Sequence, residues 1–271
     1  MKRYRNIFYL IIFLAILGLS GFAGSVFAPH DPLALHLEDR LTSPGQRYLC
    51  GTDELGSDIL SRVMTGFSNT ITVSIMTLIT SFLIGVIIGS IAGFYYGTLI
   101  DRVFNWAAAM IFSLPFLLII AALMSLMEKS LFNAYLVMTA VVWVGPARIV
   151  RAGVIRAKSS GFVLAERAMG MSEIMILFRS LVPSSILAAF VFSFRYFPEI
   201  IGMEAGLSFL GLGIQPPYPG LGKMIFDGIN YLGSAWWYAF FPAMLLFITV
   251  ALSNLFYHRV SVDSLPLARE V

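Results

Sequence analysis

The chain holds one cysteine, Cys50, so no disulfide can form within it. Its three histidines, His30, His36 and His258, are scattered, and no Cys/His cluster has metal-ligand spacing. Charge is scarce as well. Only 12% of the residues are charged, against roughly a quarter in a soluble domain. There is no Gly-x-x-x-x-Gly-Lys-[Ser/Thr] phosphate loop, so the chain is not expected to bind ATP in the usual way. Neither His-Glu-x-x-His nor Gly-x-Ser-x-Gly occurs, and no nucleophile–base set argues for a membrane enzyme. There is no repeat of solenoid period and no stretch that reads as a soluble domain.

What is present is apolar. Hydrophobic residues make up 58% of the chain and mean hydropathy is +0.85, which puts the chain in a bilayer. Six runs can span it: Ile7–Ala28, Thr70–Tyr95, Val103–Met127, Leu131–Gly145, Ser184–Leu210 and Trp236–Tyr257. The first competes with a cleaved signal peptide ending near Ala28. Its apolar run exceeds a usual signal core and further spans follow, which favours an uncleaved span. Gly85, Gly89 and Gly93 give the second run a smooth stripe where another helix can approach closely. Pro115 should kink the third run, and Pro198 the fifth.

Six spans place both termini on one side. Twelve of the eighteen Lys and Arg then fall on the inner side and five on the outer, the bias expected of cytoplasmic loops. The long inner interval, Arg148–Pro183, carries six cations and only two acids, Glu166 and Glu173. It reads either as a helix–turn–helix offering a face to a soluble partner or as an amphipathic helix resting on lipid headgroups. The outer interval, Pro29–Asn69, reads as a solvated loop followed by a short helix over about Ser57–Thr65, with Asp53 and Asp58 simply hydrated. Within the fifth run, Arg195 and Glu199 share a helix face and Glu204 lies further along. Charges at that depth are expected to pair structurally or to line a watery path.

Three stretches resemble one family, the inner-membrane permease subunits of binding-protein-dependent ABC importers, and within it the second permease of the peptide/nickel branch. "CGTDELGSDILSRVMTG" is similar to the outer-loop signature, with Ser57 where Arg is usual. "FVLAERAMG" is similar to the Glu-Ala-Ala-x-x-x-Gly coupling motif. Ala165 and Gly170 match, Leu164 replaces the Glu, Glu166 replaces the second Ala, and Val182-Pro183 falls at the Leu-Pro position. "EAGLSFLGLGIQPP" is close to the branch's own signature and is the most specific of the three.

The resemblance implies an all-α integral membrane protein with six transmembrane helices and a cytoplasmic coupling helix, the type I importer permease arrangement. Residues 1–69 would be the first span and an extracytoplasmic loop, and 70–271 a five-helix core with its coupling loop at 148–183. It implies a second permease subunit, two ATPase subunits holding the ATP and Mg, and an external binding protein. No cofactor is expected in this chain and no nucleic-acid partner. Ala165, Glu166, Arg167, Ala168, Gly170 and Pro183 would form the ATPase-coupling loop, with Gly170 allowing a sharp turn where a Cβ would clash. Arg195, Glu199 and Glu204 would be a path or an intramembrane pair. Cargo would be short peptides, nickel or metal chelates. The setting would be a bacterial inner membrane with both termini cytoplasmic. The rival reading is a gradient-driven transporter or channel acting without an ATPase and using those same charges.

Overall fold

A computed structural model describes residues 2–264, with side chains over 8–24 and 26–260. Among the described residues it is helical, with one isolated bridge, Thr52 to Asp58, and no strand. The helices are α1 (Lys2–Val26), α2 (Ile59–Phe94), α3 (Leu99–Ser113), α4 (Phe116–Ser125), α5 (Leu131–Val142) and α6 (Val144–Lys158). They continue as α7 (Gly161–Ala168), α8 (Glu173–Ile176), α9 (Val182–Ser193), α10 (Tyr196–Phe209), α11 (Leu221–Ile229) and α12 (Trp237–Ser264).

Four stretches of the described residues are long and apolar enough to cross a membrane: Ile59–Phe94, Leu131–Lys158, Glu173–Ser193 and Trp237–Val260. A fifth is the pair α3 and α4, bent by 90°. The 25-residue α1 makes six long segments, and its described apolar part is Phe8–Gly24. It packs on the bundle, with Phe13 stacked on Phe256 of α12 at 4.4 Å and Gly21 against the backbone of Ser68. Of the cations assigned inward by sequence, Lys2, Arg3, Arg5 and Arg269 lie outside the described side chains.

The central contact is α2 against α6. A Cβ on Gly85 would sit 2.7 Å from Pro146, one on Gly93 2.8 Å from the Arg151 carbonyl, and one on Gly89 inside the Ala147 backbone. The glycine stripe is therefore the seam that lets these two backbones touch.

Three boundaries differ from the sequence reading, each for a local reason. The helix after the outer loop does not stop near Thr65. Asp58 caps it by accepting the Ser61 N–H at 3.0 Å, and nothing breaks it before Phe94. The fourth span does not end at Gly145 but continues through the cations to Lys158, because Pro146 falls at the start of α6, where its missing N–H is harmless. The fifth run is not one kinked helix. It breaks at Phe194–Arg195, four and three residues before Pro198. A proline ring clashes with the carbonyl four residues back, here that of Phe194, so the chain turns at that residue. Pro115 obeys the same rule more strongly, and its bend separates α3 from α4 entirely.

Candidate functional site

The segment between the fourth and fifth spans begins where α6 ends at Lys158, whose Nζ donates to the Phe94 carbonyl at 2.6 Å and so caps the end of α2. α7 follows. Its Val163 is fully buried among Val150, Val154, Ile176, Leu177, Leu181 and Ala189. This apolar plug fixes the helix to the bundle. Its other face is open: Phe162, Leu164, Ala165, Ala168 and Met169 are exposed, Met169 at 72%.

Gly170 closes α7 with φ +80°. The Met171 N–H donates to the Glu166 carbonyl at 3.1 Å and the Gly170 N–H to the Arg167 carbonyl at 3.0 Å, the paired bonds of a Schellman turn. No heavy atom lies within 4 Å of where a Gly170 Cβ would be. The expectation of a clash is thus corrected: glycine is needed for the left-handed torsion, not for space.

Both acids of the segment are engaged internally. Glu166 accepts from Ser180 Oγ at 2.6 Å. Glu173 takes both arms of Arg167, at 2.7 and 3.1 Å. Pro183 stands apart from α7, exposed in the first turn of α9. The chain opens into a π-helical turn over Leu177–Leu181 just before it, which relieves the contact between the proline ring and the Arg179 carbonyl.

A second cation joins α6 to the start of α3. Arg151 grips Asp101 of α3 in a two-pronged ion pair, while Asp101 also accepts the Gly97 N–H at 3.0 Å and Asn105 Nδ2 at 3.1 Å. The Arg151 guanidinium lies over Tyr96 at 5.5 Å. Sequence reasoning counted Arg151 and Lys158 as loop cations and missed this role. The available signal was Val150 and Val154, apolar residues four apart in helical register among the cations.

The charges of the fifth run separate. Glu204 is buried, accepting from Thr70 Oγ1 at 2.5 Å and Ser208 Oγ at 2.8 Å. It ties α10 to α2 and bonds within the last turns of α10, just before the turn that follows. That turn repeats the Gly170 geometry, with Gly211 at φ +70° and the Leu212 N–H donating to the Leu207 carbonyl at 2.9 Å. Arg195 and Glu199 are both exposed, and no ion pair joins them among the described residues.

The outer loop is not a hydrated strand of chain. Asp53 is 1% and Asp58 3% exposed. Asp53 accepts the N–H groups of Leu55 and Ser57, each at 2.9 Å, and pairs with Arg62 at 3.2 Å. Burial pushes the Asp53 carboxyl above the usual range, with Arg62 pulling the other way. Trp237 Nε1 donates to the Thr52 carbonyl at 3.3 Å, pinning the loop to the start of α12. The sequence reading saw polar residues and inferred solvation, but the loop's own backbone N–H groups take the place of water.

These features define a multi-pass helical membrane protein with a short helix between spans, anchored on one face and open on the other. The chain belongs to the family of binding-protein-dependent transport system inner membrane components, whose model matches residues 85–262. It is a multi-pass inner-membrane permease subunit of that kind. It is 35% identical over 247 residues to the dipeptide transport system permease protein DppC of Bacillus subtilis (strain 168), covering 91% of this chain and 76% of the relative. It is 30% identical over 245 residues to the nickel transport system permease protein NikC of Escherichia coli (strain K12), covering 90% and 88%. The resemblance to the peptide/nickel branch is therefore shown. Among solved structures, an inward-facing form of the MetNI methionine ABC transporter matches with TM-score 0.58 and 20% identity, over 74% of this chain and 96% of that one, and supports the fold.

Proposed function

We propose that this chain pairs with a second permease and two ATPase subunits to form an importer, driven by ATP and Mg held in the ATPases and supplied by an external binding protein. Its termini lie in the cytoplasm. α7 is its coupling helix, seated in a cleft of an ATPase subunit, and Ala165, Ala168 and Gly170 belong to that contact. Closure of the ATPases rocks the spans and moves cargo inward. The observation that carries this reading is the two-sided character of α7, with Val163 sealed into the bundle while Leu164 and Met169 stand in the open. An apolar face of that kind on an otherwise polar segment marks a site of protein contact. Because Glu166 and Glu173 are occupied internally, the contact made by this chain is chiefly apolar.

The test is purification of the tagged chain in mild detergent from cells expressing its native gene neighbourhood. The expected product contains a second permease and two ATP-hydrolysing subunits. Leu164→Lys should lose the ATPases and keep the second permease. Recovery of the wild-type chain without any ATPase would overturn the reading in favour of a gradient-driven transporter.

A further inference from the structure

Among the described residues, three charged side chains on two helices of the bundle stand outside every ion pair. Arg148 lies on α6, within the span Leu131–Lys158, and Arg195 and Glu199 lie at the start of α10. All three are exposed and none takes part in an ion pair among the described residues. Tyr196 joins the two helices. Its ring fills the place a side chain on Gly145 would occupy, so Tyr196, next to Arg195, packs on α6 three residues before Arg148. Each guanidinium rests on an aromatic ring, Arg148 on Phe112 at 4.4 Å and Arg195 on Phe192 at 5.9 Å.

Below the charges the α10 face stays clear. Arg195, Glu199, Gly202 and Gly206 fall at helical spacing on one stripe. A Cβ on Gly202 would meet nothing within 4 Å, and one on Gly206 would meet only Leu117. Bare charges do not persist against lipid, so such a face is wet or is covered by a partner's charges. The α2 glycines meet the α6 backbone, but Gly202 meets nothing within 4 Å, which leaves room for water beside the charges.

Resting on the importer reading above, we propose that Arg148, Arg195 and Glu199 line the substrate path as an electrostatic filter of net positive sign, favouring cargo that bears a carboxylate and opposing bare divalent cations. The two guanidiniums present paired donors to a carboxylate, and Glu199 receives an ammonium. A dipolar peptide with free termini is complemented at both ends. A naked metal ion meets two positive charges for one negative, and lining charge of one sign sets selectivity in this way. Glu204, turned inward to Thr70 and Ser208, is outside the filter.

The experiment uses the purified complex with Cys50→Ser and a single reporter, Gly202→Cys, placed where a side chain has room. An anionic and a cationic methanethiosulfonate reagent are compared for their rates of reaction, each relative to its rate with a free thiol. The expected result is a preference of about tenfold for the anionic reagent, within the range by which lined clefts concentrate charged ligands. Adding Arg148→Gln and Arg195→Gln should abolish the preference, and adding Glu199→Gln alone should raise it. A reporter that reacts with neither reagent would place this face against protein or lipid and overturn the proposal. So would equal rates, or a cationic preference. The labelling is read on whatever complex is recovered, so absence of an ATPase overturns the importer reading while the filter is still measured.

Discussion

Arg151 Nε lies 2.6 Å from Asp101 Oδ1 and its second arm 3.1 Å from Oδ2, so the middle of α6 is bolted to the start of α3. Both partners are largely withdrawn from solvent, at 19% and 6% side-chain exposure. Asp101→Asn keeps the shape and removes the charge, leaving a half-buried guanidinium without its anion. We expect a loss of about 2 kcal/mol, the scale of hydrogen bonds to charged groups. It would appear as a lower thermal midpoint in detergent. Pairing it with Arg151→Met should cost less than the two single losses added together, and strict additivity would mean that the two side chains act separately.

Gly170 sits at φ +80° in open space. Gly170→Asn should therefore be mild, since asparagine accepts the left-handed region, whereas Gly170→Val should be strained by about 1–2 kcal/mol. The valine variant is expected to reach the membrane and hydrolyse ATP while uptake falls. Uptake retained in the valine variant would remove the turn from the coupling route.

Glu204 satisfies Thr70 and Ser208 at once. Glu204→Ala strands two buried hydroxyls and should destabilise by about 1–3 kcal/mol, with Glu204→Gln closer to the parent because it keeps the length and one acceptor. Comparison of midpoints for the two variants checks this. Equal midpoints for Ala and Gln would leave the bonds without structural weight.

Asp53 should make stability depend on pH with a definite sign. Burial raises its carboxyl above 3.8, the ordinary value, more than Arg62 lowers it. The folded chain then binds its proton more tightly than the unfolded chain does. Its contribution is present below the ordinary value and is lost as pH rises through the raised one. Asp53→Asn should flatten that part of the midpoint-against-pH curve. A curve unchanged by the substitution would mean that Arg62 holds the carboxylate ionised throughout.

Much of the bundle was legible from the residues. Gly85, Gly89 and Gly93 named the α2 seam because nothing else explains three small residues at that spacing in an apolar run. Pro115 marked a break because a missing N–H is local and acts wherever it falls. Other features were hidden, since they depend on partners distant in sequence. Glu204 meets Thr70 134 residues away, and the Trp237 indole closes a loop 185 residues before it. Composition made Asp53 and Asp58 look hydrated, while folding supplied each with backbone donors. The cations of Arg148–Lys158 suggested a loop, yet arginine and lysine are good helix formers and the apolar Val150 and Val154 carry the helix through them.

The turns at Gly170 and Gly211 are the same object built twice, one beyond each end of α2, and each is held by its own backbone bonds with nothing crowding the glycine. Such corners keep their angle whatever their neighbours do. When the spans shift, the give must therefore come from elsewhere in the chain, and the places already opened for it are Leu114–Pro115 and Phe194–Arg195. On the proposed coupling at α7, the fixed turns at Gly170 and Gly211 would pass a push on to the breaks at Leu114–Pro115 and Phe194–Arg195 instead of absorbing it themselves.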